Sequence, residues 1–145
     1  MNFMIEGKIV SGLGKGAYFV KMYEKLFLDN LGFVPFHGTL NLEVKKIPKL
    51  DNPITIMPSE YNFKPVHCYM AKFNGERTDA SQRRVRVHTP RRPFIQAAVI
   101  RPVATKHPEN IVEIIAPICI KDFYGLKDGD KFSCSLDWVW DKNKA

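Results

Sequence analysis

Three short clusters in this 145-residue chain combine residue types and spacings that could do chemistry. The first, Ser11-Gly12-Leu13-Gly14-Lys15-Gly16, places three glycines in one tight reversal after the strand-like segment Ile5 to Val10. Glycine permits positive φ and leaves no Cβ between backbone and ligand, so successive N–H groups can form a nest for an anion such as a phosphate. A glycine-rich hairpin turn accounts for the same residues without a ligand. The cluster is neither a Walker A loop, which needs Lys-Ser/Thr opening a helix, nor a dinucleotide fingerprint, which needs a following helix and a later acid.

The second cluster is Gly38-Thr39-Leu40-Asn41-Leu42. On a strand this alternation sends Leu40 and Leu42 into a core and Thr39 and Asn41 out of the opposite face. Two neutral oxygens aimed together suit Mg²⁺, which takes hard oxygen ligands and completes its shell with water and nucleotide phosphates; an ordinary solvent-facing pair is the alternative. The third cluster joins Thr105-Lys106-His107 to Glu113-Ile114-Ile115-Ala116-Pro117. Glu113 interrupts an apolar strand, so it needs either water or a partner. A partly desolvated carboxylate there could hold or deprotonate a ligand hydroxyl.

Other chemistries find little support. His37, His67, His88 and His107 lack metal-ligand spacing, and Cys68, Cys119 and Cys134 are odd in number and form no C-x-x-C pair. Neither a zinc ribbon nor a disulfide framework is expected, and Cys119 reads as a packing residue rather than a nucleophile.

Strands are expected at Ile5–Val10, Ala17–Val20, Thr39–Val44, Val66–Phe73, Phe94–Ile100, Val112–Ala116 and Lys131–Leu136, where short β-branched runs alternate with turn signals. That distribution argues for a mostly β barrel or sandwich. Tyr23, Leu26, Phe27 and Leu31 recur on one face of a helix expected from Met22 to Leu31, with Gly32 as its stop. A shorter helix is expected from Ile118 to Tyr124, followed by the turn Asp128-Gly129-Asp130. The stretch 76–93, with Arg83, Arg84, Arg86, Arg91 and Arg92, reads as a basic loop or hairpin excursion within one domain covering 1–145.

A domain of this size buries about 68–70% of its unfolded surface, so a core without staples is expected. The start Met1-Asn2-Phe3-Met4-Ile5-Glu6 lacks the basic and apolar order of a signal peptide, and no apolar stretch approaches the roughly 20 residues of a membrane span. A cytoplasmic protein without a membrane partner is the expectation. The formal charge of +7 favours anionic partners. With 12% aromatic residues it leaves a basic, nucleic-acid-binding β-barrel as the competing class.

Taken in order, the clusters resemble the archaeal-type CTP-dependent riboflavin kinase family. The matching stretches are Gly7 through Gly16, Leu31-Gly32-Phe33-Val34-Pro35, Gly38 through Leu42, Thr105-Lys106-His107, and Glu113 through Pro117 with Leu126-Lys127-Asp128-Gly129-Asp130. The resemblance implies a single-domain β-barrel of the cradle-loop type; the two short helices are those read above, and a monomer is the expectation. It implies transfer of the terminal phosphate of CTP to riboflavin, with Mg²⁺, to give FMN. It places Leu13, Gly14, Lys15, Gly16, Ala17 and Tyr18, with Ile118, Cys119, Ile120 and Lys121, at the nucleotide. Thr39 and Asn41 fall on the magnesium pair, and Thr105 and Glu113 on the flavin contacts, with Glu113 as the catalytic carboxylate or a hydrogen-bond anchor. Two departures stand out. Ile120-Lys121 replaces the family's frequent Leu-Arg, exchanging a bidentate fork for a point charge, and the Arg-rich stretch is longer than the usual connection and matches no family role. A flavin-binding accessory protein without turnover is a further alternative.

Overall fold

The computed structural model describes residues 3–12, 14–45, 50, 52–58, 64–74, 94–102 and 110–136. Seven strands and two helices follow one another as β1 (Phe3–Val10), α1 (Gly16–Leu31), β2 (Leu40–Glu43), β3 (Ile54–Ile56), β4 (Val66–Asn74), β5 (Phe94–Pro102), β6 (Ile111–Ile115), α2 (Ile120–Tyr124) and β7 (Lys131–Leu136). All pairings are antiparallel, in the order β3-β4-β5-β6-β2-β1-β7. A further pairing of β7 with β4, Ala71 opposite Leu136, closes six strands into a barrel. β3 pairs with the first half of β4, Ile54 opposite Cys68, outside that ring.

Side-chain alternation divides the apolar residues into two cores. Ile5 and Ile9 from β1, Leu40 and Leu42 from β2, Ala71 and Phe73 from β4, Val99 from β5, Val112 and Ile114 from β6, and Phe132 from β7 fill the barrel. The opposite faces of β4, β5 and β6 present Val66, Cys68, Met70, Ala98, Ile100 and Ile115 to α1, which contributes Val20, Tyr23, Phe27 and Leu31. The centres of β4 and β5 are therefore apolar on both faces, and the runs Cys68–Ala71 and Ala97–Ile100 are apolar apart from the Tyr69 hydroxyl for that reason, while His67, Lys72, Gln96 and Arg101 flank them. Tyr23 keeps its polar tip satisfied by donating its hydroxyl hydrogen bond to the Lys64 carbonyl at 2.8 Å.

The strand expected at Ala17–Val20 is the first turn of α1, and the helix expected from Met22 begins six residues earlier, at Gly16. Ala17, Tyr18, Phe19 and Val20 have tolerable propensity for either state, and burial decides. Val20 at helical spacing from Tyr23 and Phe27 reaches the second core, where Phe19 also stacks on Tyr23 at 4.5 Å. The helix ends as expected at Gly32, whose φ of 87° lets its N–H reach the Leu28 carbonyl at 3.0 Å. β3 has no counterpart in the sequence reading, and the Arg-rich excursion at 76–93 lies outside the described residues.

Phe27 is fully buried between helix and sheet, whereas its neighbour Leu28 is 41% exposed. Phe27→Ala is expected to remove about 3–5 kcal/mol of stability in urea unfolding. Leu28→Ala should change it by no more than about 0.5 kcal/mol.

Candidate functional site

The site begins where β1 runs out. The chain leaves Val10, passes through Ser11 and Gly12, and re-enters regular structure at Gly16 as a helix rather than a strand. This corrects the expectation of a hairpin and strengthens the case for anion binding. The first N–H groups of a helix have no partner within it, and the helix dipole adds positive potential at that end. Among the described residues no side chain caps α1, and its first turn contains no acid. Gly14 and Lys15 sit at the approach, Ala17 and Tyr18 are in the first turn, and Tyr18 is 70% exposed beside the loop. Leu13 lies outside the described residues.

The glycines serve different purposes. Gly14 adopts φ of 80°, with open space where a side chain would stand. Gly16 does not adopt positive φ, contrary to the sequence reading; its constraint is steric, because a Cβ there would lie 2.6 Å from the Thr39 Oγ1. Gly12 is crowded in the same way, with the Asn41 Nδ2 2.5 Å from the position of its absent Cβ. The second cluster thus lies directly against the first.

Thr39 and Asn41 reach this place through β2. Its register sets Asn41 between Val10 on β1 and Glu113 on β6. Residues directly opposite on neighbouring antiparallel strands leave the same face of the sheet, so Asn41 and Glu113 emerge side by side on the face that α1 covers further along. Asn41 is 6% exposed, which excludes the solvent-facing alternative, and its Oδ1 is buried without a hydrogen-bond partner. Its Nδ2 reaches the Thr39 Oγ1 only at 3.5 Å. The segment before Thr39 is tied to the residue following β6 and to α1 by neighbouring residues: the Phe36 N–H donates to the Ala116 carbonyl at 2.7 Å, and His37 pairs with Glu24 of α1.

This arrangement fits a hard cation. A buried carbonyl-type oxygen with an unmade bond, beside a hydroxyl and beneath a loop with no intervening Cβ, is a place where an oxygen-seeking ion would be held chiefly by neutral donors. Among the described residues no three acidic, histidine or cysteine side chains converge as a metal cluster, so any cation here would draw on Thr39, Asn41 and the ligand it arrives with.

Glu113 is half-buried on β6, opposite Asn41 on one side and Ile100 on the other. Thr105, expected alongside it, lies outside the described residues. Ile118 and Cys119 precede α2, Ile120 anchors that helix in the barrel core, and Lys121 projects from its first turn. The Ile120 side chain is therefore a packing group, and Ile118 also packs against the barrel core. Lys121 is drawn towards the glycine loop by Asp128, which the sequence reading placed in a turn and in a matching stretch but gave no site role. Asp128 accepts a hydrogen bond from the Lys121 Nζ at 2.7 Å through one oxygen and from the Ser11 hydroxyl through the other. These two donors, Lys121 first, hold the exposed Asp128 carboxyl below its ordinary range. The Cys68 and Cys134 thiols, by contrast, are pushed up to about 12 by burial and are packing groups.

Fold and site together define a closed antiparallel barrel carrying a strand, a glycine-rich loop and a helix on its outer face, a class apart from the parallel-sheet P-loop proteins. A family model of the CTP-dependent riboflavin kinase domain, described as "Domain of unknown function DUF120", matches residues 9–136. The chain is 41% identical over 127 residues to a protein named riboflavin kinase from Pyrococcus abyssi, covering 88% of this chain and 55% of that protein. It is 35% identical over 141 residues to the riboflavin kinase of Methanocella arvoryzae (92% and 57%), and 39% identical over 128 residues to that of Thermococcus kodakarensis (88% and 56%). The chain thus spans little more than half the length of these relatives. It belongs to the CTP-dependent riboflavin kinase family.

Two outcomes follow from the geometry. Gly16→Ala should cost about 1–3 kcal/mol through overpacking against Thr39, and Thr39→Ala in the same chain should recover much of that loss. The loss from Gly14→Ala, which comes from positive φ, should be untouched by Thr39→Ala; a double-mutant cycle in urea checks both. The second outcome concerns acid. Because the Asp128 pKa is lowered on folding, its ties to Lys121 and Ser11 contribute above the ordinary aspartate value and are lost as pH falls through the lowered one. A ¹³C carboxyl titration should place Asp128 below 3.8, and Lys121→Met should move its midpoint upward.

Proposed function

We propose that this chain is a riboflavin kinase that transfers the terminal phosphate of CTP to the end hydroxyl of the riboflavin side chain, giving FMN and CDP. The observation that carries the reading is the convergence of the uncapped α1 N-terminus, the glycine loop and the Thr39–Asn41 pair beside Glu113, in a chain of this family. Phosphoryl transfer asks little covalent chemistry of a protein, so positioning and charge neutralisation supply most of the acceleration.

In this reading the N–H groups of Gly16, Ala17 and Tyr18 hold the nucleotide phosphates, with Lys15 and the Lys121 ammonium as exposed cations nearby. The backbone about Ile118 and Cys119 lines the nucleoside side. Thr39 and Asn41 would hold Mg²⁺, which when bound neutralises charge on the phosphates. Glu113 orients the ribityl hydroxyl through a hydrogen bond. As the hydroxyl oxygen bonds to the terminal phosphorus, the bond from that phosphorus to the leaving CDP oxygen breaks and the hydroxyl proton passes towards the Glu113 carboxylate. Thr105 completes the flavin contacts. The reading takes the protein as a cytoplasmic monomer whose substrates are the nucleotide and riboflavin.

The direct test incubates the protein with riboflavin, Mg²⁺ and either CTP or ATP at equal, subsaturating concentrations and follows FMN by chromatography. CTP should give the faster turnover; no FMN with either donor would reject the reading, and equal rates would reject the donor choice. Thr39→Ala with Asn41→Ala should lower turnover at limiting Mg²⁺ by at least about 100-fold while the fold persists. Wild-type turnover in that folded double variant would remove both residues from the metal site.

A further inference from the structure

Asp128 has no place in the scheme above, yet it joins two of its parts. Its turn is clamped to the end of β1, where the Gly129 N–H donates to the Ile9 carbonyl and the Ile9 N–H to the Asp130 carbonyl, each at 2.8 Å. Within the turn the Lys127 N–H donates to the Asp130 side chain at 2.9 Å, and the Asp130 N–H to the Lys127 carbonyl at 3.0 Å. The Asp128 carboxylate therefore stands on a backbone fixed to the strand that launches the glycine loop. One oxygen receives the Ser11 hydroxyl, one residue before Gly12, and the other receives the Lys121 Nζ at 2.7 Å. Through these two bonds the Asp128 side chain links α2 to the loop.

We infer that Asp128 is a positioning residue of the nucleotide site, holding the Lys121 ammonium at the root of the glycine loop so that incoming phosphates meet a cation already in place. The inference rests on the proposed reading of the loop and Lys121 as that site. A lysine carries three donors on a four-carbon stem with much rotamer freedom. Asp128 occupies one donor and fixes the stem, leaving two for phosphate oxygens and removing part of the ordering cost that binding would otherwise carry. An arginine fork would be pre-organised by its own planarity; a lysine at position 121 gains more from an external guide. A carboxylate near a phosphate also repels it. Here its charge is matched by Lys121, and both side chains are more than a third exposed, so solvent and salt screen the repulsion. Positioning should outweigh it.

The test is calorimetric titration of CTP with Mg²⁺, and separately of riboflavin, into the full chain and into Lys121→Ala, Asp128→Ala, Asp128→Asn and the Lys121→Ala, Asp128→Ala double variant. Lys121→Ala should weaken CTP binding about tenfold and Asp128→Ala about fivefold, with riboflavin affinity essentially unchanged. Asp128→Asn, which keeps an acceptor for Lys121, should recover part of the loss. The double variant should bind CTP no more weakly than Lys121→Ala alone, since Asp128 acts through that lysine. CTP affinity in Asp128→Ala equal to or tighter than wild type, additive losses in the double variant, or parallel losses for CTP and riboflavin would each overturn the inference while leaving the site reading intact. A wild-type chain that binds no CTP, or a Lys121→Ala chain that binds it normally, overturns the reading of the nucleotide site and the inference with it.

Discussion

The register of β2 between β1 and β6 is the constraint on which the rest of the molecule depends. Asn41 opposite Val10 and Glu113, with Leu42 opposite Ile9 and Val112, sends one set of side chains into the barrel and the other towards the glycine loop. The side-chain period of a strand is two, so a slip of one residue would exchange the sets. Leu40 and Leu42 would leave the core, and the Asn41 amide would enter it unpaired, at a penalty for each buried polar group of roughly 1–3 kcal/mol. The apolar pattern that closes the barrel is thus also the device that aims the polar pair. Stability and site geometry are specified by the same hydrogen-bond ladder.

The surroundings of that ladder explain why a helix start, and not a turn, faces the polar pair. α1 must lay Val20, Tyr23, Phe27 and Leu31 on β4, β5 and β6, and its axis is fixed by that burial. Its first turn extends past the covered strands until Gly16 meets Thr39. The absence of a side chain at Gly12 and Gly16 lets backbone lie directly on the Asn41 amide and the Thr39 hydroxyl. Substitution there would separate the loop from the pair even if the barrel were unaffected.

Much of this was legible in the sequence where local pattern and tertiary burial agree. The alternation at Leu40, Asn41 and Leu42, the apolar runs of β4 and β5, and the Gly32 stop each specify their own structure. The failure at Ala17–Val20 has a definite cause: four residues preceded by glycines carry too little periodicity to separate strand from helix, and the partners that decide it are distant in sequence. Gly16 was singled out for the wrong physical reason, since its constraint comes from Thr39, 23 residues on, and not from its own φ. Asp128 was invisible as a site residue because Asp-Gly-Asp is complete as a turn signal, and only the fold brings Ser11 and Lys121 to its two oxygens. The three-residue β3 offers too short a run to announce itself.

The way β4 shares its border has a consequence for the protein in concentrated solution. β3 occupies the first half of one side of β4 and β7 the second half, while β5 takes the whole of the other side. Sheet borders with unmatched N–H and C=O groups are templates on which other chains can add strands and assemble. Ring closure gives six of the seven strands a partner strand on each side, and among the described strands only β3, three residues from Ile54 to Ile56, has a side with no partner strand. A border that short offers too few backbone groups to hold an incoming strand. The same division of β4 that completes the barrel therefore leaves, among the described strands, one short outer strand as the place where another chain could add.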